Sequence, residues 1–138
     1  MRIEGSCHCG NLTYAMQTRF TRETLAPRAC GCSFCRKHDA ISASDPDGSV
    51  SFGIRDPAAV SRYRFGLRTA DFLVCRACGI YVGAVMERDG RQWAIVNLRA
   101  SEFYDVPVAA VSYDAENEAG RIDRRLSRWT PVRDRAGE

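Results

Sequence analysis

Seven cysteines constrain this chain more than any other feature, because they fall into three tight clusters rather than being scattered. The clusters are Cys7-His8-Cys9-Gly10, Cys30-Gly31-Cys32-Ser33-Phe34-Cys35 and Cys75-Arg76-Ala77-Cys78-Gly79. An odd number of cysteines cannot all pair as disulfides within one chain, and close pairs on distant segments are how two strands share a tetrahedral zinc ion. Clusters of two, three and two therefore divide most economically into a four-thiolate and a three-thiolate site.

The residue after each cluster indicates which is which. Cys9 and Cys78 both precede glycine. Glycine there allows a tight turn at positive φ, so that backbone N–H groups can point at bound sulfurs. Cys7, Cys9, Cys75 and Cys78 are accordingly expected to form the closed structural site, joining the flanking strands at 11–16 and 70–74. Cys35 instead runs into Arg36-Lys37-His38, which reads as a short helix with Ser33 as its cap. Cys30, Cys32 and Cys35 supply only three thiolates, and three protein ligands with an open position is the arrangement of catalytic zinc. Three thiolates leave about −1 on a divalent ion, which Arg36, Lys37 and the positive end of the helix would offset. His38 lies three residues past Cys35 on the same helical face and is the alternative fourth ligand, which would close this site as Cys₃His. His8, between two ligands, is expected to point away from the ion they share.

The rest of the chain reads as mainly β, with one or two short peripheral helices. Segments rich in β-branched and aromatic residues recur at 11–16, 49–54, 59–65, 70–75, 80–87, 92–98 and 108–113, between Gly, Pro, Asp and Ser punctuation. Asp89-Gly90 is a hairpin turn signal, which makes 80–87 and 92–98 antiparallel neighbours. Ala119, Ile122, Leu126 and Trp129 form a helical stripe, and Arg121, Arg124, Arg125 and Arg128 between them are expected on a solvated outer face.

At 138 residues the chain is expected to form one domain, 1–138. Apolar content of 45% and charged content of 27% indicate neither disorder nor a membrane protein. The first residues lack the apolar core of a signal peptide, so a cytoplasmic location is expected. That reducing setting again favours metal over disulfides. A net charge of +3 demands neither a membrane nor a nucleic-acid partner.

Gly5-Ser6-Cys7-His8-Cys9-Gly10, Cys30-Gly31-Cys32-Ser33-Phe34-Cys35-Arg36-Lys37 and Cys75-Arg76-Ala77-Cys78-Gly79 resemble, in order and rough spacing, the glutathione-dependent formaldehyde-activating enzyme family. The resemblance spans positions 5–79. It implies the Mss4-like zinc-binding β-sheet fold, or β-tent, and two zinc ions per chain. Carried over by position, Cys7, Cys9, Cys75 and Cys78 would hold the structural ion, and Cys30, Cys32 and Cys35 the catalytic one. The implied activity is that of a carbon–sulfur lyase that forms S-(hydroxymethyl)glutathione from glutathione and formaldehyde. No glutathione-recognition motif transfers, but Arg28, Arg62, Arg64 or Arg68 are candidates to clamp the carboxylates of such a thiol. The same family includes a chromatin- and microtubule-associated member, so a non-catalytic binding module using the C-terminal arginines is the alternative. A third reading, a thiol redox enzyme like type B methionine sulfoxide reductase, requires a reactive cysteine outside any metal site.

Overall fold

The computed structural model describes residues 1–133. In chain order its strands are β1 (Arg2–Ser6), β2 (Leu12–Gln17), β3 (Arg28–Cys30), β4 (Ser42–Ala43), β5 (Ser49–Ile54), β6 (Val60–Tyr63), β7 (Asp71–Cys75), β8 (Tyr81–Arg88), β9 (Arg91–Asn97), β10 (Ala109–Val111) and β11 (Thr130–Pro131). Helix α1 (Ser33–His38) lies between β3 and β4, and α2 (Glu118–Arg128) precedes β11. The fold is mainly β, as the sequence indicates.

Two sheets share one core. The smaller runs β1-β2-β5 and the larger β10-β3-β4-β9-β8-β7-β6, with β11 added alongside β9. Ile3, Leu12, Tyr14, Met16, Val50 and Phe52 from the first pack with Leu73, Val82, Val85, Ala94 and Val96 from the second and with Leu98 just past β9. Strand β8, between β9 and β7, is buried along Tyr81 to Met86. Val82 and Val85 belong to that intersheet core, whereas Ala84 and Met86 pack with Trp129 and, on α2, Ile122 and Leu126. Both faces of β8 are thus covered, which accounts for its near-continuous apolar sequence.

The Asp89-Gly90 turn forms as expected. Asp89 has φ +52° and Gly90 φ +77°, and Arg88 opposes Arg91 at the hairpin end. Two positive φ values define the primed turn whose twist matches that of the flanking strands.

The short helices depart from expectation in detail. The cap of α1 is Cys32, whose sulfur accepts from the Cys35 backbone N–H, and Ser33 is the first helical residue. A sulfur that reaches this N–H takes over the usual role of a serine oxygen. The helix stops at Asp39, which turns into the left-handed region at φ +49°. In α2 the arginines are not a uniformly solvated face. Arg125 is only 7% exposed, Arg121 and Arg124 are partly buried, and Arg128 alone of the four is exposed. The apolar stripe itself brings this about, because Arg125 follows Ile122 by three residues and precedes Trp129 by four and so shares the packed side. Among the described residues no helix is long and apolar enough to cross a membrane.

Candidate metal centres

The four-cysteine site is built from two matching loops, one from each sheet. Cys7 follows β1 and Cys75 ends β7. The Cys7 N–H donates to Leu12 O at 2.8 Å and the Cys75 N–H to Ile80 O at 3.0 Å, so both loops close in the same way. Gly10 and Gly79 each sit at φ +84°, the left-handed turn that their sequence positions anticipate. Just beyond them the Asn11 N–H donates to the Cys9 sulfur and the Ile80 N–H to the Cys78 sulfur. Leu12 N–H adds a 3.3 Å bond to Cys7 Sγ.

The sulfurs of Cys7, Cys9, Cys75 and Cys78 all lie within 4.8 Å of one another. Cys7 Sγ is 3.7 Å from Cys9 Sγ, which is 3.6 Å from Cys75 Sγ. A tetrahedral zinc with Zn–S bonds of ~2.3 Å needs sulfurs about 3.8 Å apart, so the spacing fits the ion. Cys7 and Cys75 are 2% and 0% exposed, placing half of the ligand set inside the intersheet core.

The second cluster brings together Cys30, Cys32 and Cys35, again with all sulfurs within 4.8 Å. Strand β3 delivers Cys30, and α1 carries Cys35 as its buried residue. Cys32 N–H lies 3.5 Å from Cys30 Sγ, and Cys35 N–H lies 3.4 Å from Cys32 Sγ. The Cys35 thiol donates to Cys30 and holds the Cys30 thiol down to about 5. That same bond, with burial, pushes Cys35 far above its ordinary value.

His38 is not part of this group. Its ring packs 4.5 Å from Phe34 and 5.6 Å from Tyr81, centroid to centroid. Among the described residues no histidine or carboxylate completes the three sulfurs. All seven cysteines fall within the two clusters, so none remains outside a metal-binding set for the thiol redox reading.

The two clusters differ most in what surrounds them. Cys30, Cys32 and Cys35 line a pocket of about 490 Å³, walled by Phe65, Phe72 and Tyr81 on one side and by α2 on another. Five arginines line it, Arg28 from β3, Arg36 from α1 and Arg121, Arg124 and Arg125 from α2. Of the arginines singled out from the sequence as carboxylate clamps, Arg28 alone lines this pocket. Arg62 and Arg64 instead face Asp71, and Arg68 lies with Arg64 in a separate surface depression. Glu116 accepts from Arg121 at 3.3 Å and from Arg124 at 2.7 and 3.0 Å, and these bonds, Arg124 foremost, hold its carboxyl below the ordinary range. Tyr113 lies under the Arg124 guanidinium at 3.5 Å. Tyr113 and Glu116 had no signature in the sequence, because a short parallel pairing of β10 with β3 brings them here. In that pairing Gly31 N–H donates to Val111 O at 3.0 Å, tying the returning chain to the cysteine cluster.

These features define a class: a mainly β chain with a closed four-cysteine set and an open three-cysteine set, each able to hold a metal ion. The chain is similar to a Rhodobacter sphaeroides protein whose crystal structure was solved by structural genomics, with 30% identity and a TM-score of 0.55. The similarity covers 78% of this chain and 99% of that one, and the two belong to one family. No protein-family model and no curated protein matches the chain.

Proposed function

We propose that the chain is a zinc-dependent carbon–sulfur lyase or synthase acting on the adduct of a thiol with an aldehyde, as in the formation of S-(hydroxymethyl)glutathione from glutathione and formaldehyde. The observation that carries this reading is the contrast between the clusters. Four sulfurs close one site in the core, whereas three sulfurs, with no fourth ligand among the described residues, open on a pocket. The resemblance of the cysteine motifs to the formaldehyde-activating family points the same way.

A zinc ion on Cys30, Cys32 and Cys35 would favour the thiolate form of an incoming thiol and polarise an aldehyde oxygen. The remaining chemistry belongs to the chain. Phe65, Phe72 and Tyr81 shield the reacting atoms from bulk water, and the arginine wall favours a thiol that carries negative charge. In the synthetic direction the sulfur attacks the aldehyde carbon and a C–S bond forms. The carbonyl electron pair moves to oxygen, which takes up the proton lost by the thiol. The lyase direction reverses each change.

The test is the rate of adduct formation from glutathione and formaldehyde in the presence of zinc-loaded protein. Acceleration above the spontaneous rate, lost in Cys35→Ser, is expected. No acceleration with glutathione or another cellular thiol would remove the proposal.

A further inference from the structure

Two tyrosines are buried, Tyr14 and Tyr81, each 2% exposed. The Tyr14 hydroxyl donates to Asn97 O, as a buried phenol ordinarily requires. The Tyr81 hydroxyl makes no hydrogen bond among the described residues. Nor is it sealed away. Arg125 Nε is the only shielded side-chain polar atom without a partner among the described residues, so the Tyr81 oxygen keeps access to the pocket that this residue lines. That pocket is the one onto which Cys30, Cys32 and Cys35 open.

An irregularity in β8 aims the residue there. Across the β7–β8 pair Leu73 opposes Gly83 but Val74 opposes Tyr81, which leaves Val82 as an extra residue in β8. Val82 and Val85 belong to the intersheet core, and a Cβ on Gly83 would meet the Phe52 ring from the same core. Under strict alternation Tyr81 would follow residues 83 and 85 into that core. The bulge turns it to the opposite face, where it packs with Cys35 and Ala40 and against Cys30, Cys32, Phe34 and Phe72. Its place is fixed at both ends: the backbone oxygen accepts from Asn97 Nδ2 at 2.8 Å, and the ring meets Phe34 edge-on at 5.0 Å. The phenol oxygen lies within electrostatic reach of all three sulfurs. A phenylalanine would pack among these rings without an unpaired hydroxyl to desolvate, so packing alone does not account for a tyrosine.

Resting on the reading that the three-cysteine cluster brings a thiol to an aldehyde, we infer that Tyr81 is a catalytic residue whose hydroxyl donates a hydrogen bond to the aldehyde oxygen. As the sulfur attacks the carbonyl carbon and the C–S bond forms, the π electron pair of the carbonyl becomes a lone pair on that oxygen. A fixed donor in a water-poor site binds the oxygen more strongly as this charge grows, which is what lowers a barrier. The oxygen then takes a proton from pocket water, matching the proton that the thiol released. Tyr81 keeps its own proton, and thiol plus aldehyde give the hemithioacetal with nothing left over.

The experiment compares full-length, zinc-loaded wild type with Tyr81→Phe, using glutathione and formaldehyde as probes. The variant keeps the ring and removes only the unpaired hydroxyl, so its thermal midpoint is expected to match or exceed that of wild type. Its kcat for adduct formation is expected to fall by about a hundredfold, the lower end of the loss on removing one oxyanion donor. Affinity for glutathione, read from the visible absorption of the cobalt-substituted protein, should stay the same. An unchanged kcat overturns the inference and leaves the thiol–aldehyde reading standing. So does an equal loss of glutathione affinity, which would put the hydroxyl on the thiol, or a lowered midpoint, which would show that the hydroxyl is bonded within the protein. If wild type gives no acceleration above the spontaneous rate, the thiol–aldehyde reading itself fails and the inference falls with it.

Discussion

Gly10 and Gly79 hold the same backbone angle, φ +84°, in the two loops that converge on one four-sulfur cluster. At Gly79 an added methyl group would meet no atom within 4 Å, so replacing it tests backbone strain in isolation. A left-handed conformation costs an L-residue roughly 1–2 kcal/mol. Gly79→Ala should therefore lower the stability of the zinc-loaded protein by about that amount in urea unfolding. An unchanged midpoint would show that the turn is not held at this angle.

Removing one sulfur should have opposite consequences in the two clusters. Structural zinc contributes on the order of 10 kcal/mol of folding free energy, comparable to the whole stability of a domain. Cys75→Ser, at a core position between the sheets, is expected to abolish folding as read by circular dichroism. Cys35→Ser should keep the β spectrum and fall from two bound zinc ions per chain to one by elemental analysis. Equal loss of structure in both variants would contradict a division into closed and open sites.

The aromatic ring of Tyr14 covers Gly5, its directly opposed partner across the β1–β2 pair. A Cβ at Gly5 would overlap that ring, which is itself 2% exposed and anchored by its hydroxyl donating to Asn97 O at 2.9 Å. The ring has nowhere to retreat. Gly5→Ala should destabilise the protein by about 1–3 kcal/mol, the range for overpacking a close-packed core, and thermal unfolding will show whether it does.

Glu116 should give a pH signature. Its carboxyl is held below its ordinary value of 4.5, chiefly by the Arg124 hydrogen bonds. A lowered folded-state value means that the stabilisation is fully present above the unfolded value and fades as pH falls through the folded one. The stability difference between wild type and Glu116→Gln should thus be largest near neutrality and shrink below pH ~4.5. Denaturant titrations of both proteins at matched pH and metal content check this. A difference that grows on acidification would mean that the Arg124 pairing does not form.

Legibility in the sequence followed from whether the physical cause was local. The matched loops could be read because a cysteine pair followed by glycine encodes its own turn, and the β8–β9 hairpin because Asp89-Gly90 does the same. Strands β3, β4 and β11 span two or three residues and carry no period of their own, so pairing with β10 or β9 alone defines them. Strand β1 escaped notice because it buries only Ile3 and Gly5 in a run that is otherwise polar. The arginine wall was misread for a different reason. Four arginines at near-regular spacing look alike in sequence, and only the position of Trp129 against β8 decides that Arg125 turns inward while Arg128 remains outside.

The ligands of the two clusters are distributed very differently along the chain. Cys30, Cys32 and Cys35 sit within one short stretch, whereas Cys9 and Cys75 are separated by 66 residues. Closing a loop of that length rather than one of a few residues costs about 2 kcal/mol more chain entropy. During synthesis the middle cluster is therefore complete as a chelator while the four-cysteine set still lacks half of its members. A metal ion met during synthesis would thus find the triad assembled before the four-cysteine set is complete.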